Sequence, residues 1–460
     1  MKKIIVLLTS LATFSSSFAC TTIIVGKKAS ATGDIIIARN SDSSKAVNSK
    51  HLVIHQATFN KDNVYHSSQN NFKYTLSDID AISATESVKN NPEALKFDPY
   101  NKKSGISESD ITTIVMSKAR TAKQGIQIIG NIIEKQGAAE GFGIAIADAN
   151  EVWYLETGAG NIWAAAKVPD DKYFVSANQV RLQNIDLNDS NNFLGSKNLI
   201  TFATDHDLIN KDNKFDFRTA YAKRTPNDIT YNYLRVWTVQ NMYNPSSKYD
   251  YKLGNSPAFM TPEHKISVAN VKEALKNHYQ NTKNDPYDSK EKEAFRPISV
   301  FRESNSHITL VRNKGLPSEI SNVLYISLGM NSLSAYVPFY VGMNKVPDTY
   351  AKGSDQATDD SAFWAFRKVQ TLAMLDFKKY APIVQEGYEK LSAKIEKKRL
   401  KMEAKYIAEH KKSDIFADRI LQEFINWETR EAVNTAHKLE NKLMTLETKR
   451  INQKYLFEGA

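Results

Sequence analysis

The hydrophobic and polar positions change period several times along the chain. Thr21–Val25 and Ile35–Ala38 are short apolar, β-prone runs, and the intervening Ser30-Ala31-Thr32-Gly33-Asp34 has turn chemistry, so a hairpin is predicted there. His51–Ala57 reads as a third strand. Helical spacing of apolar residues then runs through Ile106–Lys118 and Ala122–Gln136, with Gly137 suited to stop the second helix. Strands are predicted again at Phe142–Ala147, Val152–Glu156, Ile162–Lys167 and Tyr173–Ala177, the first pair joined by an Asp148-Ala149-Asn150 turn. Pro226 opens a predicted helix to Met242 with Thr225 as its cap, and Ser267 caps another over Val268–Tyr279. His307–Val311, Val323–Ser327 and Tyr336–Val341 read as late strands. From Ser361 to Arg450 the pattern is helical almost throughout, and Pro382 is expected to interrupt it near its start. Asn-, Ser- and Lys-rich stretches at 183–214 and 244–256 read as long surface loops. Blocks of strands and helices in this order point to an α+β fold, layered sheets covered by helices, with a helical appendage.

The first nineteen residues follow a different logic. Lys2 and Lys3 precede an apolar stretch from Ile4 to Ala12, and Ser17 and Ala19 supply the small-x-small pattern that a signal peptidase needs. The stretch is too short for a spanning helix, which takes about 20 apolar residues. No later segment is long and apolar enough to span a membrane. Residues 1–19 are therefore expected to be an export signal, and the mature protein to lie in the periplasm or outside the cell. An uncleaved N-terminal anchor is the alternative.

Composition narrows the picture further. With 41% apolar and 24% charged residues in 460, the chain is expected to pack as a soluble protein rather than stay disordered. The formal charge is +10, but much of the basic excess sits in the last ninety residues, interleaved with Glu and Asp. That reads as a solvated helical face, so nucleic acid is not expected as a partner. Ala404–Arg450 could form a helical hairpin, or a surface for a homo-oligomer. The nine histidines show no metal-binding spacing, and Asp205-His206-Asp207 reads as a solvated loop; no metal and no cofactor are expected. A single cysteine, Cys20, excludes an internal disulfide and Cys-based zinc or iron–sulfur sites.

Cleavage after Ala19 would make Cys20 the first residue. Its α-amine, with a pKa near ~7.7–8.0, could then take the thiol proton, so that one residue supplies nucleophile and base together. The exit of the second predicted strand, Arg39-Asn40-Ser41-Asp42, holds suitable supporting groups. Arg39 could lower the thiol pKa or orient it, and Asp42 could hold the α-ammonium. A hairpin brings both near Cys20. On spacing alone, a surface Arg–Asp pair explains the same residues.

Several segments carry a resemblance. Ala19-Cys20-Thr21-Thr22, Gly26-Lys27-Lys28-Ala29-Ser30 and Ala38-Arg39-Asn40-Ser41-Asp42-Ser43 are similar to the start of the bacterial dipeptidase A / peptidase D family. So are Ile82-Ser83-Ala84-Thr85-Glu86-Ser87, the run from Ala147 to Glu156, Val168-Pro169-Asp170-Asp171 and Ser176-Ala177-Asn178-Gln179. Leu234-Arg235-Val236-Trp237, Asp285-Pro286-Tyr287, Arg296-Pro297-Ile298, Tyr336-Val337-Pro338-Phe339-Tyr340 and Ser361-Ala362-Phe363-Trp364 continue it in order. That family belongs to the N-terminal-nucleophile hydrolases and is related to choloylglycine and penicillin V hydrolases. The resemblance implies a four-layer α-β-β-α sandwich over residues 20–360, with 361–460 as a helical region packed on it. It implies cysteine-type cleavage of dipeptides, with Cys20 as nucleophile and its amine as base. Arg39 and Asp42 would be the supporting pair, Asn178 an oxyanion donor and Arg235 a further site cation. One departure stands out: where the family carries an Asn-Glu-x-Gly-like turn, this chain has Ser77-Asp78-Ile79-Asp80.

Two other functions stay open at this point. The same fold could cleave a non-peptide amide, such as a conjugated bile acid or a penicillin. Alternatively, Cys20 could be acylated in a non-enzymatic lipoprotein, although Ser17-Phe18-Ala19 is a poor lipobox because Ser17 stands where Leu is expected.

Overall fold

The computed structural model describes residues 20–43, 45–52, 64–66, 73–75, 82–111, 114, 119–209, 214–288, 295–312 and 315–456. The strands are β1 (Thr21–Val25), β2 (Ile35–Asp42), β3 (Val64–His66), β4 (Lys73–Thr75), β5 (Ile82–Ser87), β6 (Phe142–Ala147), β7 (Val152–Thr157), β8 (Trp163–Lys167), β9 (Tyr173–Ser176), β10 (Phe193–Gly195), β11 (Phe259–Met260), β12 (Glu303–Val311), β13 (Asn322–Leu328) and β14 (Val337–Phe339). The helices that matter most here are α1 (Ala122–Gln136), α2 (Leu234–Tyr243), α3 (Val268–Lys276), α4 (Ala362–Ala373), α5 (Phe377–His410) and α6 (Asp414–Lys454).

The strands form a seven-stranded sheet, ordered β11-β9-β1-β2-β12-β13-β14, and a five-stranded sheet, β10-β8-β7-β6-β5. All pairings within both are antiparallel. The fold is thus mixed α and β, as the alternation of periods predicts. Ile23–Val25 of β1 and Ile35–Ala38 of β2 are apolar on both faces because both faces are covered. Ile24, Ile35 and Ile37 share a buried cluster with Ala145, Val152 and Tyr154 of the five-stranded sheet. Ile23, Ile36 and Ala38, on the opposite face, join Val236 and Val239 of α2 and Val271 and Leu275 of α3. A third cluster sets Ile126, Ile129 and Ile133 of α1 against Ile144, Ile146, Trp153 and Leu155. α1 approaches β8 so closely that a Cβ on Gly130 would meet the Trp163 ring at 2.1 Å.

Most predicted elements appear, with shifted ends. Thr121 caps α1, and Gly137 ends it at φ 82°, its N–H reaching the Ile133 carbonyl. The Asp148 carboxylate accepts from the N–H groups of Asn150 and Glu151 and closes the β6–β7 turn. Ser267 and Asn270 form a reciprocal capping box at the start of α3, which ends at Lys276 rather than Tyr279. Other expectations need correction. The helix predicted from Pro226 begins with a turn at Pro226 and a π-turn over Ile229–Tyr233 that runs into α2, but Thr225 does not cap it with its hydroxyl: its N–H and hydroxyl both donate to the Asp228 carboxylate. Pro382 does not interrupt the helical tail but lies inside α5. It faces solvent, as does Lys378, whose carbonyl loses its intrahelical partner and can be hydrated instead. β2 does not stop before Arg39, since β12 pairs along it as far as Asp42. The predicted strand at His51–Ala57 and the Ser77-Asp78-Ile79-Asp80 segment fall largely or wholly outside the described residues, and His51 and Leu52 are not in a strand. Among the described residues, no helix is long and apolar enough to cross a membrane.

Candidate active site

Strand register builds the site. β1 pairs with β2 so that Thr22 faces Arg39 and Thr21 faces Asn40; continuing by one residue sets Cys20 level with Ser41. On its other edge β1 pairs with β9, with Thr22 opposite Ser176. Two residues further, Asn178 lies level with Cys20. The lone cysteine thus sits at a strand end between two neighbouring strand exits. It is fully buried.

Arg39 donates from Nη2 to Cys20 Sγ at 2.9 Å and to Glu108 Oε1 at 2.5 Å. Its Nη1 donates to the Thr85 hydroxyl at 3.2 Å, which itself donates to Glu108 at 3.1 Å. Burial pushes the thiol up to about 11; the Arg39 charge opposes this, while Glu108 and Asp42 add to it. Burial alone would pull the Arg39 guanidinium down, but Cys20 and Glu108 hold it above its usual range. The thiol is therefore protonated at neutral pH, and a base must take its proton before it can attack.

Alternation along β2 turns Asp42 to the face opposite Arg39. There it pairs with Arg296 and lies 3.8 Å from Arg302 Nη2, both through Oδ2. Its Oδ1 is buried and has no hydrogen-bond partner among the described residues. An acceptor in that state is costly to leave unmade.

Arg235 ties the pieces together. It is fully buried, with Nη1 donating to the Cys20 carbonyl at 2.6 Å and to the Thr21 hydroxyl at 3.0 Å. Nη2 donates to Asn178 Oδ1 at 3.0 Å, Asn232 Oδ1 at 2.8 Å and the Ala177 carbonyl at 3.3 Å. Burial and the nearby Arg296 lower its pKa to about 9, which leaves it charged at neutral pH. It positions other groups and touches the backbone of Cys20 rather than its sulfur. Asn178 adopts φ 58°, a left-handed conformation that asparagine tolerates better than most residues. Its N–H donates to Glu86 Oε1 at 2.6 Å and its Nδ2 donates to the Ser87 carbonyl at 3.1 Å. Burial pushes Glu86 up to about 7, against the Asn178 N–H, the Thr22 and Ser176 hydroxyls and the Arg235 charge.

All five residues singled out in the sequence, Cys20, Arg39, Asp42, Asn178 and Arg235, gather at this end of the seven-stranded sheet. Arg39 and Asp42 approach Cys20 from opposite faces rather than as one pair. Glu108, Glu86 and Arg296 were not singled out for a role. Glu86 and Arg296 lie in segments that carry the resemblance, yet only the fold reveals their partners. Ser107-Glu108-Ser109-Asp110 has no signal of its own. His206, read from the sequence as part of a solvated loop, follows a short helix over Leu199–Asp205 and stacks on Phe97 with ring centroids 3.9 Å apart.

Cys20, with Arg39 at its sulfur and Asn178 level with it on the neighbouring strand, sits among groups suited to chemistry on a carbonyl, and comparison with known proteins gives the family. The model of peptidase family C69 matches residues 19–80 and 77–390. The chain belongs to peptidase family C69. That assignment covers every residue of the site just described. A probable dipeptidase of Salmonella dublin is 45% identical over 385 residues, spanning 77% of this chain and 88% of that protein. A probable dipeptidase of Latilactobacillus sakei is 33% identical, spanning 84% and 87%. The dipeptidase A of Lactobacillus helveticus is 27% identical, spanning 81% and 85%. Family membership and the names of these relatives support a peptidase.

Proposed function

We propose that this protein is an exported dipeptidase whose nucleophile is Cys20, released as the N-terminus by removal of residues 1–19. The observation that carries this reading is the setting of Cys20: at the start of β1, fully buried, with Arg39 Nη2 2.9 Å from Sγ. The three stacked clusters around the two sheets fit the four-layer α-β-β-α sandwich of the N-terminal-nucleophile hydrolases.

The mechanism follows from the charges. A thiol pushed up to about 11 holds its proton at rest. Once freed, the α-amine of Cys20, with a pKa near ~7.7–8.0, takes that proton, and Arg39 stabilises the thiolate as it forms. The unpartnered Oδ1 of Asp42 suits the resulting ammonium. Sulfur attacks the scissile carbonyl, and the Asn178 amide is the donor offered to the oxyanion. The ammonium returns its proton to the leaving amine. Water, deprotonated by the same amine, then releases the acyl group from sulfur. Full burial of Cys20 favours this reading over a lipid anchor, because a diacylated thiol would have to leave the site.

Cys20→Ala tests the proposal. Dipeptide hydrolysis followed by release of free amino acids should drop to background while the circular dichroism spectrum stays unchanged. Turnover that persists in a folded Cys20→Ala protein refutes the mechanism.

A further inference from the structure

Beside the nucleophile lies a group of cations that the mechanism above leaves unused. The ring of Tyr231, half-buried, has the Arg235 guanidinium carbon 5.7 Å from its centroid, Arg296 at 5.0 Å and Lys89 Nζ at 5.4 Å. Its hydroxyl accepts from Arg302 Nη2 at 3.2 Å. The same Arg235 donates to the Cys20 carbonyl, so this platform adjoins the reacting residue.

Among the described residues, the cations here outnumber the carboxylates. Asp42 pairs with Arg296 and lies near Arg302, both through the one oxygen. Burial and Asp42 push Glu303, the neighbouring carboxyl, well above the usual range, which removes much of its value as a counter-charge. Lys89 makes no ion pair among the described residues, and about a third of the Arg302 side chain is open to solvent. Half-buried cations that outnumber the carboxylates around them attract an anion, and it is held more strongly here than in open water.

We propose that Lys89, Tyr231 and Arg302 form the seat for the free α-carboxylate of the substrate, and so restrict cleavage to peptides that end one residue beyond the scissile bond. This rests on the peptidase reading of Cys20. One extended residue spans only ~3.3–3.6 Å, so the carboxylate of a dipeptide falls close to the nucleophile. A longer peptide would place a neutral amide there and leave the cations unsatisfied. Lys89 and Arg302 supply charge-assisted donors, and the Tyr231 hydroxyl adds a third.

The test compares Ala-Ala with its C-terminal amide. Calorimetric titration into the Cys20→Ala protein should show the acid binding at least ~10-fold tighter, the effect expected of a hydrogen-bonded charge. Adding Lys89→Met, which breaks no ion pair among the described residues, should remove most of that preference; Lys89→Arg should keep it. Arg302→Met is the second probe of the same preference. Equal binding of acid and amide, no measurable binding of either, or a preference that survives both methionine variants overturns the proposal. Turnover by the protein with Cys20 intact separates the two ideas. Cys20-dependent cleavage of acid and amide at equal kcat/KM upholds the nucleophile and refutes the seat. A Lys89-dependent preference in binding without Cys20-dependent turnover does the reverse.

Discussion

At the residue scale, one buried thiol is surrounded by groups that determine what it can do. Cys20 is not a preformed thiolate, because its burial outweighs the single bond from Arg39. Asn178 has no such acid–base part; its amide is the proposed oxyanion donor. Asn178→Ala should lower kcat by about 10²–10³ with little change in KM, read from steady-state kinetics on a dipeptide. A change confined to KM would mean that Asn178 binds substrate instead. The identities of Cys20, Arg39, Asp42, Asn178 and Arg235 could be read from the chain because each sits in a short recognisable segment. Their geometry could not. Cys20 and Asn178 are brought level by the β1–β9 pairing across about 150 residues, which no local pattern encodes. Glu108 reaches Arg39 from a segment whose helical spacing says nothing of a site, and Glu86 gains its partners only where two sheets meet.

At the element scale, local chemistry predicts well wherever it decides alone. The hairpin of β1 and β2, the limits of α1 and the Ser267 cap all follow from turn and capping residues. α3 packs its buried face on β2 and lets Asn40 donate to the Leu275 carbonyl, so the cap steadies a wall of the site strand. Ser267→Ala should therefore cost about 1 kcal/mol, measured as a lower urea midpoint at an unchanged slope. No shift in the midpoint would show that the capping box carries no net stability. Prediction fails where tertiary packing overrides the local rule. Pro382 stays helical because Tyr380, Ala381 and Val384 are buried around it, while its own exposed side gives up one bond to water. Before α2 the Asp228 carboxylate draws the Thr225 N–H and hydroxyl to itself, so that hydroxyl is not free to cap.

At the scale of the whole molecule, the helical tail is part of the main core. Residues of α4, α5 and α6 share the cluster that covers the outer face of the seven-stranded sheet. The tail also buries Glu428, both of whose carboxyl oxygens lack hydrogen-bond partners among the described residues. Burial pushes that carboxyl well above the usual range. The sign follows: as pH rises above about 4, the unfolded chain releases this proton while the folded chain keeps it, so stability falls with rising pH up to the folded pKa. Glu428→Gln removes that loss. Its Tm should exceed the parent's by a few degrees at pH 8 and converge with it near pH 4; a gap independent of pH would exclude the ionisation as the cause. The central claim concerns the other end of the chain, where the nucleophile exists only once residues 1–19 are gone. Intact-mass spectrometry of active enzyme during titration with a thiol alkylator tests it most directly. The account predicts a chain beginning at Cys20 that takes up one alkyl group as activity disappears in proportion. Full activity in a chain that retains Met1–Ala19, or in a fully alkylated one, would contradict it.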